Sequence, residues 1–353
     1  MNSANDKHPL ASQATDPPPT PVSTTATHPS QAKPRMVILG GSGFIGTRLI
    51  NLLKDTNNYD LSNIDIAQSE AHPEITERGD VRHLFDMLHA LQGADTSILL
   101  AAQHRDNVHP LSLYAETNVD GMRNVLEAMS QNKVRRIIFF SSVSVYGLHR
   151  AEPNEDAQLT PVNEYGRTKQ QAELLLQQWS KRHPERSVII VRPTVVFGEG
   201  NRGNVYNLLH QIQSGRFLMV GNGRNLKSMA YVGNVAAFVQ FLLEHNDKPG
   251  LQIYNYVDKP DYDMNRLVSL VSRTLHRHIP SMHFPLWMGL LGGYAADALS
   301  LLTRRPLAVS AQRVRKFCAT TAFSSDKAMS IGFVPPFAIE EALERTLRYE
   351  FGE

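Results

Sequence analysis

One stretch constrains the chain more than any other: Met36-Val37-Ile38-Leu39-Gly40-Gly41-Ser42-Gly43-Phe44-Ile45-Gly46, an apolar run that breaks into glycines and resumes as Thr47-Arg48-Leu49-Ile50. It reads as a strand, a tight loop and the start of a helix. Two glycine spacings overlap, since Gly41, Gly43 and Gly46 fit G-x-G-x-x-G while Gly40, Gly43 and Gly46 stand three apart. Either spacing supplies a tight turn, a close approach of backbone to a pyrophosphate, and close packing of helix on strand, with helix N–H groups aimed at the anion. Ordinary turns are also rich in glycine, so the surrounding sequence has to decide.

The surroundings alternate strand and helix. Asn63-Ile64-Asp65-Ile66 reads as a second strand, with Asp65 just under 20 residues beyond Gly46. A carboxylate there accepts hydrogen bonds from the adenosine ribose hydroxyls and repels a 2′-phosphate, which favours NAD over NADP. Gly79-Asp80-Val81-Arg82 leads to a helical pattern of Leu84, Phe85, Leu88 and Leu91, and Ser97 to Ala102 follows as a buried strand. Thr117-Asn118-Val119 opens a helix through Val125, Leu126 and Met129, and Arg136 to Ser142 and Ser187 to Arg192 are further strands. Strands fed by helices predict an α/β fold, a doubly wound and mostly parallel Rossmann sheet. We expect a disordered Pro/Ser/Thr-rich tail over 1–34, a dinucleotide-binding domain over 35–197 to which 228–258 returns, and a smaller mixed substrate-binding region from 198–227 and 259–353.

Bulk properties exclude several classes. A formal net charge of +2 with 20% charged residues gives no footprint for nucleic acid. The tail has no apolar core of the kind a signal peptide needs. One cysteine, Cys318, allows no intramolecular disulfide and no thiolate metal site; a cytoplasmic location is expected, with no metal, and Cys318 as a buried small hydrophobe. The apolar run from Phe284 to Leu302 is interrupted by Gly292-Gly293 and Asp297, which argues against a transmembrane span. It reads as core or homodimer surface, with peripheral membrane contact as the lesser reading.

Tyr165 and Lys169 stand four apart in a helical stretch, on one helix face. An ammonium beside a phenol favours the phenolate, so Tyr165 can exchange a proton with a substrate hydroxyl, and Ser142 at a strand end can orient that oxygen. Gln103-His104-Arg105-Asp106 follows the Ala101-Ala102 strand end, where a doubly wound sheet places its ligand crevice. His104 or Arg105 is expected to touch substrate, with a plain loop surface as an equal alternative.

Taken in order, the glycine loop, Asp65, Gly79-Asp80-Val81, Thr117-Asn118-Val119, Phe140-Ser141-Ser142-Val143-Ser144-Val145-Tyr146-Gly147, Tyr165-Gly166-Arg167-Thr168-Lys169, Arg192-Pro193 and Tyr231-Val232-Gly233-Asn234 resemble an extended short-chain dehydrogenase/reductase of the NAD-dependent sugar epimerase/dehydratase family. The resemblance implies NAD as cofactor, held by Gly40, Gly43, Phe44, Ile45, Gly46, Asp65, Asp80, Val81, Ala101, Ala102, Asn118, Tyr165, Lys169 and Pro193. It implies Tyr165 as acid and base, Lys169 on the nicotinamide ribose and tuning Tyr165, and Ser142 on the substrate. It also places Asn204 and Lys227 on a nucleotide diphosphate, Lys227 standing where many relatives have arginine. One of Arg313, Arg315 and Lys316 is a further candidate for the diphosphate.

Members that dehydrate nucleotide sugars carry an acidic pair directly after the Ser or Thr position, and here those places hold Val143 and Ser144. Elimination of water needs an acid and a base at that point. The expectation is therefore a nucleotide-sugar 4-epimerase, with a 4-keto-sugar reductase using NAD(P)H as the alternative. A hydroxysteroid-like alcohol dehydrogenase, suggested by Arg192-Pro193 and the Phe284–Leu302 run, and a non-catalytic NAD-sensing protein stand behind these.

Overall fold

The computed structural model describes residues 32–105, 108–148, 152–215, 217–279, 282–303 and 310–352; of the expected tail, 1–31 lies outside them. Among the described residues the strands are β1 (Arg35–Leu39), β2 (Asp60–Asp65), β3 (Thr76–Arg78), β4 (Thr96–Leu99), β5 (Arg136–Phe140), β6 (Ser187–Pro193), β7 (Val195–Phe197), β8 (Met219–Val220), β9 (Leu226–Tyr231), β10 (Gly250–Tyr256), β11 (Asp258–Asp263) and β12 (His283–Phe284). Seven of them form one sheet in the order β10-β6-β5-β4-β1-β2-β3, parallel throughout. From β1 the chain first builds outward through β2 and β3, then returns to add β4, β5, β6 and β10 on the other side. That reversal leaves a crevice between the carboxyl ends of β1 and β4, where open α/β sheets bind ligands.

The helices are α1 (Phe44–Thr56), α2 (Leu84–Ala90), α3 (Ser112–Ala115), α4 (Gly121–Gln131), α5 (Glu164–Arg182), α6 (Asn204–Gln213), α7 (Val232–His245), α8 (Met264–Thr274), α9 (Leu286–Thr303), α10 (Ala311–Cys318), α11 (Asp326–Ser330) and α12 (Ile339–Phe351). The unbroken apolar strands are two interleaved faces. Val37, Leu39, Ile137, Phe139, Val188 and Ile190 pack with α2, α4 and α5, whereas Met36, Ile38, Ile138, Phe140, Ile189 and Val191 pack with α1 and α7. Side chains alternate along a strand, and burying each of these large ones contributes roughly 1.5–3 kcal/mol, so both faces must be covered by helices.

A smaller body carries the rest. β7, β9 and β11 form a three-stranded sheet, β8 and β12 a two-stranded one, and α6, α8 and α12 share a core with β9. Between residues 228 and 258 it is α7 and β10 that pack into the large sheet, while β9 belongs to the small one.

Three expectations need correction. In α2 Met87 and Ala90 are buried, with Leu88 packed beside them and Leu91 buried just past the helix end, but Phe85, expected in the same pattern, is 81% exposed. The Phe284–Leu302 run is not core: α9 leaves most of its large side chains outside. Cys318 is half-buried and lines a cavity, where its thiol donates to the carbonyl of Val220 at 3.4 Å.

Candidate active site

The glycine loop takes its shape from close approaches. Gly40 has φ +88°, and a Cβ there would lie 2.4 Å from the backbone nitrogen of Ala101, so the ends of β1 and β4 meet only across a glycine. Gly46 sits on the loop itself, where a Cβ would come within 2.4 Å of Gly41. Gly43 differs, since a Cβ there would meet only the Gly40 carbonyl, at 4.0 Å. It caps the amino end of α1 with no side-chain hydrogen bond. The N–H groups of Phe44 and Ile45 in the first turn therefore front an open cradle, which fits a pyrophosphate. The three residues thus take separate duties of turn, anion approach and packing, in the three-apart spacing.

Asn63, fully buried on β2, fixes this loop. Its Oδ1 accepts the Gly41 N–H at 2.8 Å, and its Nδ2 donates to Ser42 Oγ at 3.1 Å and Thr76 Oγ1 at 2.9 Å. Asp65 ends the same strand and accepts N–H groups from Ser42 at 3.0 Å and Ala67 at 3.1 Å, leaving lone pairs at the rim. Asp80 is claimed by Arg82, whose Nε donates at 2.9 Å; burial raises the Asp80 carboxyl, but Arg82 outweighs it and holds it low. Val81 is buried against Gly121. Asn118 lies in a π-turn, Glu116–Asp120, between α3 and α4. Its Oδ1 accepts the Gln103 N–H at 2.8 Å, and its Nδ2 donates to the Gln103 carbonyl at 3.0 Å and Thr168 Oγ1 at 2.9 Å. The geometry makes it a clamp on the walls of the crevice.

The chemical centre lies where α5 meets the end of β5. Asn163 caps α5 by accepting the Gly166 N–H at 2.8 Å. A Cβ at Gly166 would lie 2.5 Å from the Ser144 carbonyl, so this glycine lets the helix reach the turn that carries Ser142. Three successive strand-end residues meet three helix residues one turn apart. Lys169 Nζ donates to the Phe140 carbonyl at 2.7 Å, Ser141 Oγ donates to Glu173, and the Ser142 hydroxyl is near enough to the Tyr165 phenol to favour its ionised form. Ser142 also accepts the Ser144 N–H at 3.2 Å.

Sequence reasoning led us to expect that Lys169 lowers the Tyr165 phenol. In the protein's own field burial dominates and pushes the phenol up to about 12, opposed by the Ser142 hydrogen bond. Burial also pulls Lys169 down to about 7, against Glu173, which holds it up. The ammonium is committed to the Phe140 carbonyl and the Phe139 ring, 4.7 Å from its centroid.

Glu173 was missed from the sequence, although it continues the 165, 169 stride. It is 0% exposed and receives Arg192, itself 2% exposed, through Nε at 2.9 Å and a second guanidinium nitrogen at 2.6 Å. Arg192 also donates to Tyr146 Oη at 2.6 Å, which donates to Asn255 at 2.8 Å. Arg192-Pro193 had suggested a hydroxysteroid-like alcohol dehydrogenase; the arginine belongs to this buried network, with Pro193 the last residue of β6.

On the substrate side, His104 and Arg105 are exposed after β4, and the Arg105 carbonyl accepts from Tyr114; Asp106 lies outside the described residues. Asn204 is exposed in the first turn of α6. Lys227 is not a loop residue: it lies in β9, and Nζ donates to the Ala319 carbonyl at 2.8 Å, burial lowering it to about 8. Arg315 donates to the Tyr294 hydroxyl, while the side chains of Arg313 and Lys316 lie outside the described residues. Among the described residues no three His, Cys, Asp or Glu side chains gather as a metal-ligand set.

Residues 36–256, which carry the loop, the crevice and the Ser–Tyr–Lys group, match the model of the NAD dependent epimerase/dehydratase family. The chain belongs to that family. NAD is its cofactor, and it is an enzyme of the extended short-chain dehydrogenase/reductase type. This family member is 52% identical over 317 residues to the N-acetyl-alpha-D-glucosaminyl-diphospho-ditrans,octacis-undecaprenol 4-epimerase of Escherichia coli O157:H7, covering 90% of this chain and 95% of that one. It is 25% identical to the UDP-glucose 4-epimerase of Vibrio cholerae, covering 89% and 94%. Its fold superposes on the UDP-glucuronic acid 4-epimerase of Bacillus cereus solved with NAD, at TM-score 0.71 and 20% identity, covering 90% and 98%.

Proposed function

We propose that the chain is a 4-epimerase acting on an N-acetylhexosamine held through a diphosphate to a polyprenyl carrier, and that it works in the cytoplasm. One observation carries the reading: Ser142, Tyr165 and Lys169 stand together beside the switch-point crevice, in a chain half identical, over nearly its full length, to a protein described by that activity. The glycine loop, the amino end of α1 and Asp65 are the groups that hold NAD, which supplies the acceptor and donor for the hydrogen at C4.

Burial holds Tyr165 protonated in the protein's own field, and the positive charge of bound NAD would favour its phenolate; in that form Tyr165 takes the proton of the C4 hydroxyl while Ser142 turns its hydroxyl to the same oxygen. The C4 carbon becomes a ketone, the sugar turns over, hydrogen returns to the opposite face, and Tyr165 gives the proton back. Oxidation and reduction cancel, so no cofactor is consumed. Val143 is buried and Ser144 bears no charge, which supports a reaction without loss of water. We assign His104 and Arg105 to the sugar side and Asn204 and Lys227 to the diphosphate.

The test is to incubate the purified chain, without added cofactor, with N-acetylglucosaminyl-diphospho-undecaprenol in detergent or with UDP-N-acetylglucosamine, then hydrolyse and separate the hexosamines. Conversion of the lipid-linked sugar is expected. Conversion of the nucleotide sugar alone would move the carrier assignment, and conversion of neither would overturn the reading.

A further inference from the structure

The helix α9 is apolar around most of its circumference, including the face it turns to water. Trp287, Met288, Leu291, Tyr294 and Leu299, together with Gly292, Ala295 and Ala298, fall on one arc and are all exposed, Trp287 at 65% and Leu291 at 63%. No charged residue lies on that arc. The helix's one acid, Asp297, points inward and accepts the Ala311 N–H at 3.1 Å. The inner face is packed: a Cβ at Gly289 would lie 2.5 Å from Val220, and one at Gly293 would lie 2.7 Å from Ala311. A contiguous apolar arc of this size on a folded chain marks a surface that something covers.

We infer that this arc docks on a lipid bilayer and brings the polyprenyl carrier to the site, an inference that rests on the carrier assigned above. A polyprenyl chain resides in the bilayer, so the enzyme has to meet its diphosphate at the membrane surface. The arc runs into the wall of a cavity of about 940 Å³, through Leu286, Pro285 and Phe284, and that cavity is also lined by Asn225 and Cys318, near in sequence to the Lys227–Ala319 contact. Tryptophan and tyrosine favour the headgroup region, and Trp287 and Tyr294 occupy the arc. Arg315 holds the Tyr294 hydroxyl, and α10, packed against α9, carries Arg313, Arg315 and Lys316 with no acid, which suits an anionic leaflet. Among the described residues no helix is long and apolar enough to cross a membrane, so α9 lies along the interface.

The test uses the full chain with vesicles of phosphatidylethanolamine and phosphatidylglycerol whose acyl chains carry bromine. Trp179 is buried beneath the sheet, so quenching reports Trp287. Wild type is expected to float with the vesicles and to be quenched. Leu291→Glu with Leu299→Glu is expected to lose vesicle partition by about a hundredfold, about tenfold for each leucine withdrawn from lipid. Its turnover of the polyprenyl-linked sugar should fall in vesicles and stay at the wild-type level in detergent micelles, which also shows that the variant is folded. Absence of quenching in wild type would overturn the inference. So would a wild-type dimer in sedimentation that the double variant dissociates, because the arc would then face a second copy. If no lipid-linked sugar is turned over even in detergent, the carrier assignment fails, and quenching still decides whether α9 meets lipid.

Discussion

Replacing Glu173 by glutamine tests the buried ladder beneath the chemical centre. The carboxylate is 0% exposed, Arg192 is 2% exposed, and two charged hydrogen bonds of 2.9 and 2.6 Å join them. Removing one member of such a pair leaves the other charge buried without its counterion, which typically costs about 3–5 kcal/mol. Glutamine keeps one acceptor for Arg192 or Ser141, so about 3 kcal/mol is expected, or a fall in Tm of about 4 °C for a chain of this length. Replacing Glu173 and Arg192 together by methionine should recover at least half of the loss, because an apolar pair needs no counterion. The same substitution reaches the chemistry: Glu173 holds the Lys169 ammonium up against burial, so Glu173→Gln should move the alkaline limb of kcat to lower pH. Thermal melts of the single and double variants, with a pH profile of kcat, are the measurements. A Glu173→Gln melt within about 2 °C of wild type together with an unmoved profile would refute the reasoning.

Other predictions are more local. Tyr165→Phe should lower turnover by about 10²–10⁴ while the purified protein keeps its NAD; unchanged turnover would remove Tyr165 from the proton transfer. Gly43→Ala should melt like wild type and bind NAD weakly, whereas Gly46→Ala should melt lower because its Cβ would strike Gly41, and the reverse outcome would show the duties misassigned. Asp258 is raised from 3.8 to about 6 by burial, opposed by bonds from Tyr231, Asn234 and Tyr256. The fold then binds the extra proton between those values, and stability should fall as pH rises through that window. Lys169 gives the opposite sign: it drops from 10.5 to about 7, the unfolded chain holds the extra proton, and stability should rise with pH between them. Urea titrations of the cofactor-free chain should show both slopes, and Asp258→Asn should abolish the acidic one.

The parallel sheet was legible because each inner strand is apolar on both faces, and a helix-period pattern follows each. Tyr165 and Lys169 share a helical stride, but it took the upstream glycine loop and Ser142, in their order along the chain, to mark them as a group. The strand position of Lys227 was not legible, because a charged residue among Asn, Gly and Arg shows no strand pattern and its pairings with Tyr262 of β11 and with Thr321 are distant in sequence. The face of α2 was misread because Phe85 has the hydrophobicity of a core residue, yet the short helix turns Met87 inward. Glu173 stood on the catalytic stride, but its meaning depends on Arg192, which is brought to it only by the pairing of β5 with β6. The exposure of α9 could not be read either, since an apolar run says what a helix avoids in water and not which neighbour covers it.

Asn118 bears on how the enzyme keeps what it binds. One side chain staples the loop after β4 to α5 through Gln103 and Thr168, so parting the two walls of the crevice breaks either its bond to Thr168 or both of its bonds to Gln103. The side chain thus resists opening of the crevice. A catalyst that takes hydrogen from a sugar and hands the same hydrogen back gains from such a holder, because the half-reacted pair is kept together between the two strokes, and the cycle closes without exchange with the surrounding pool.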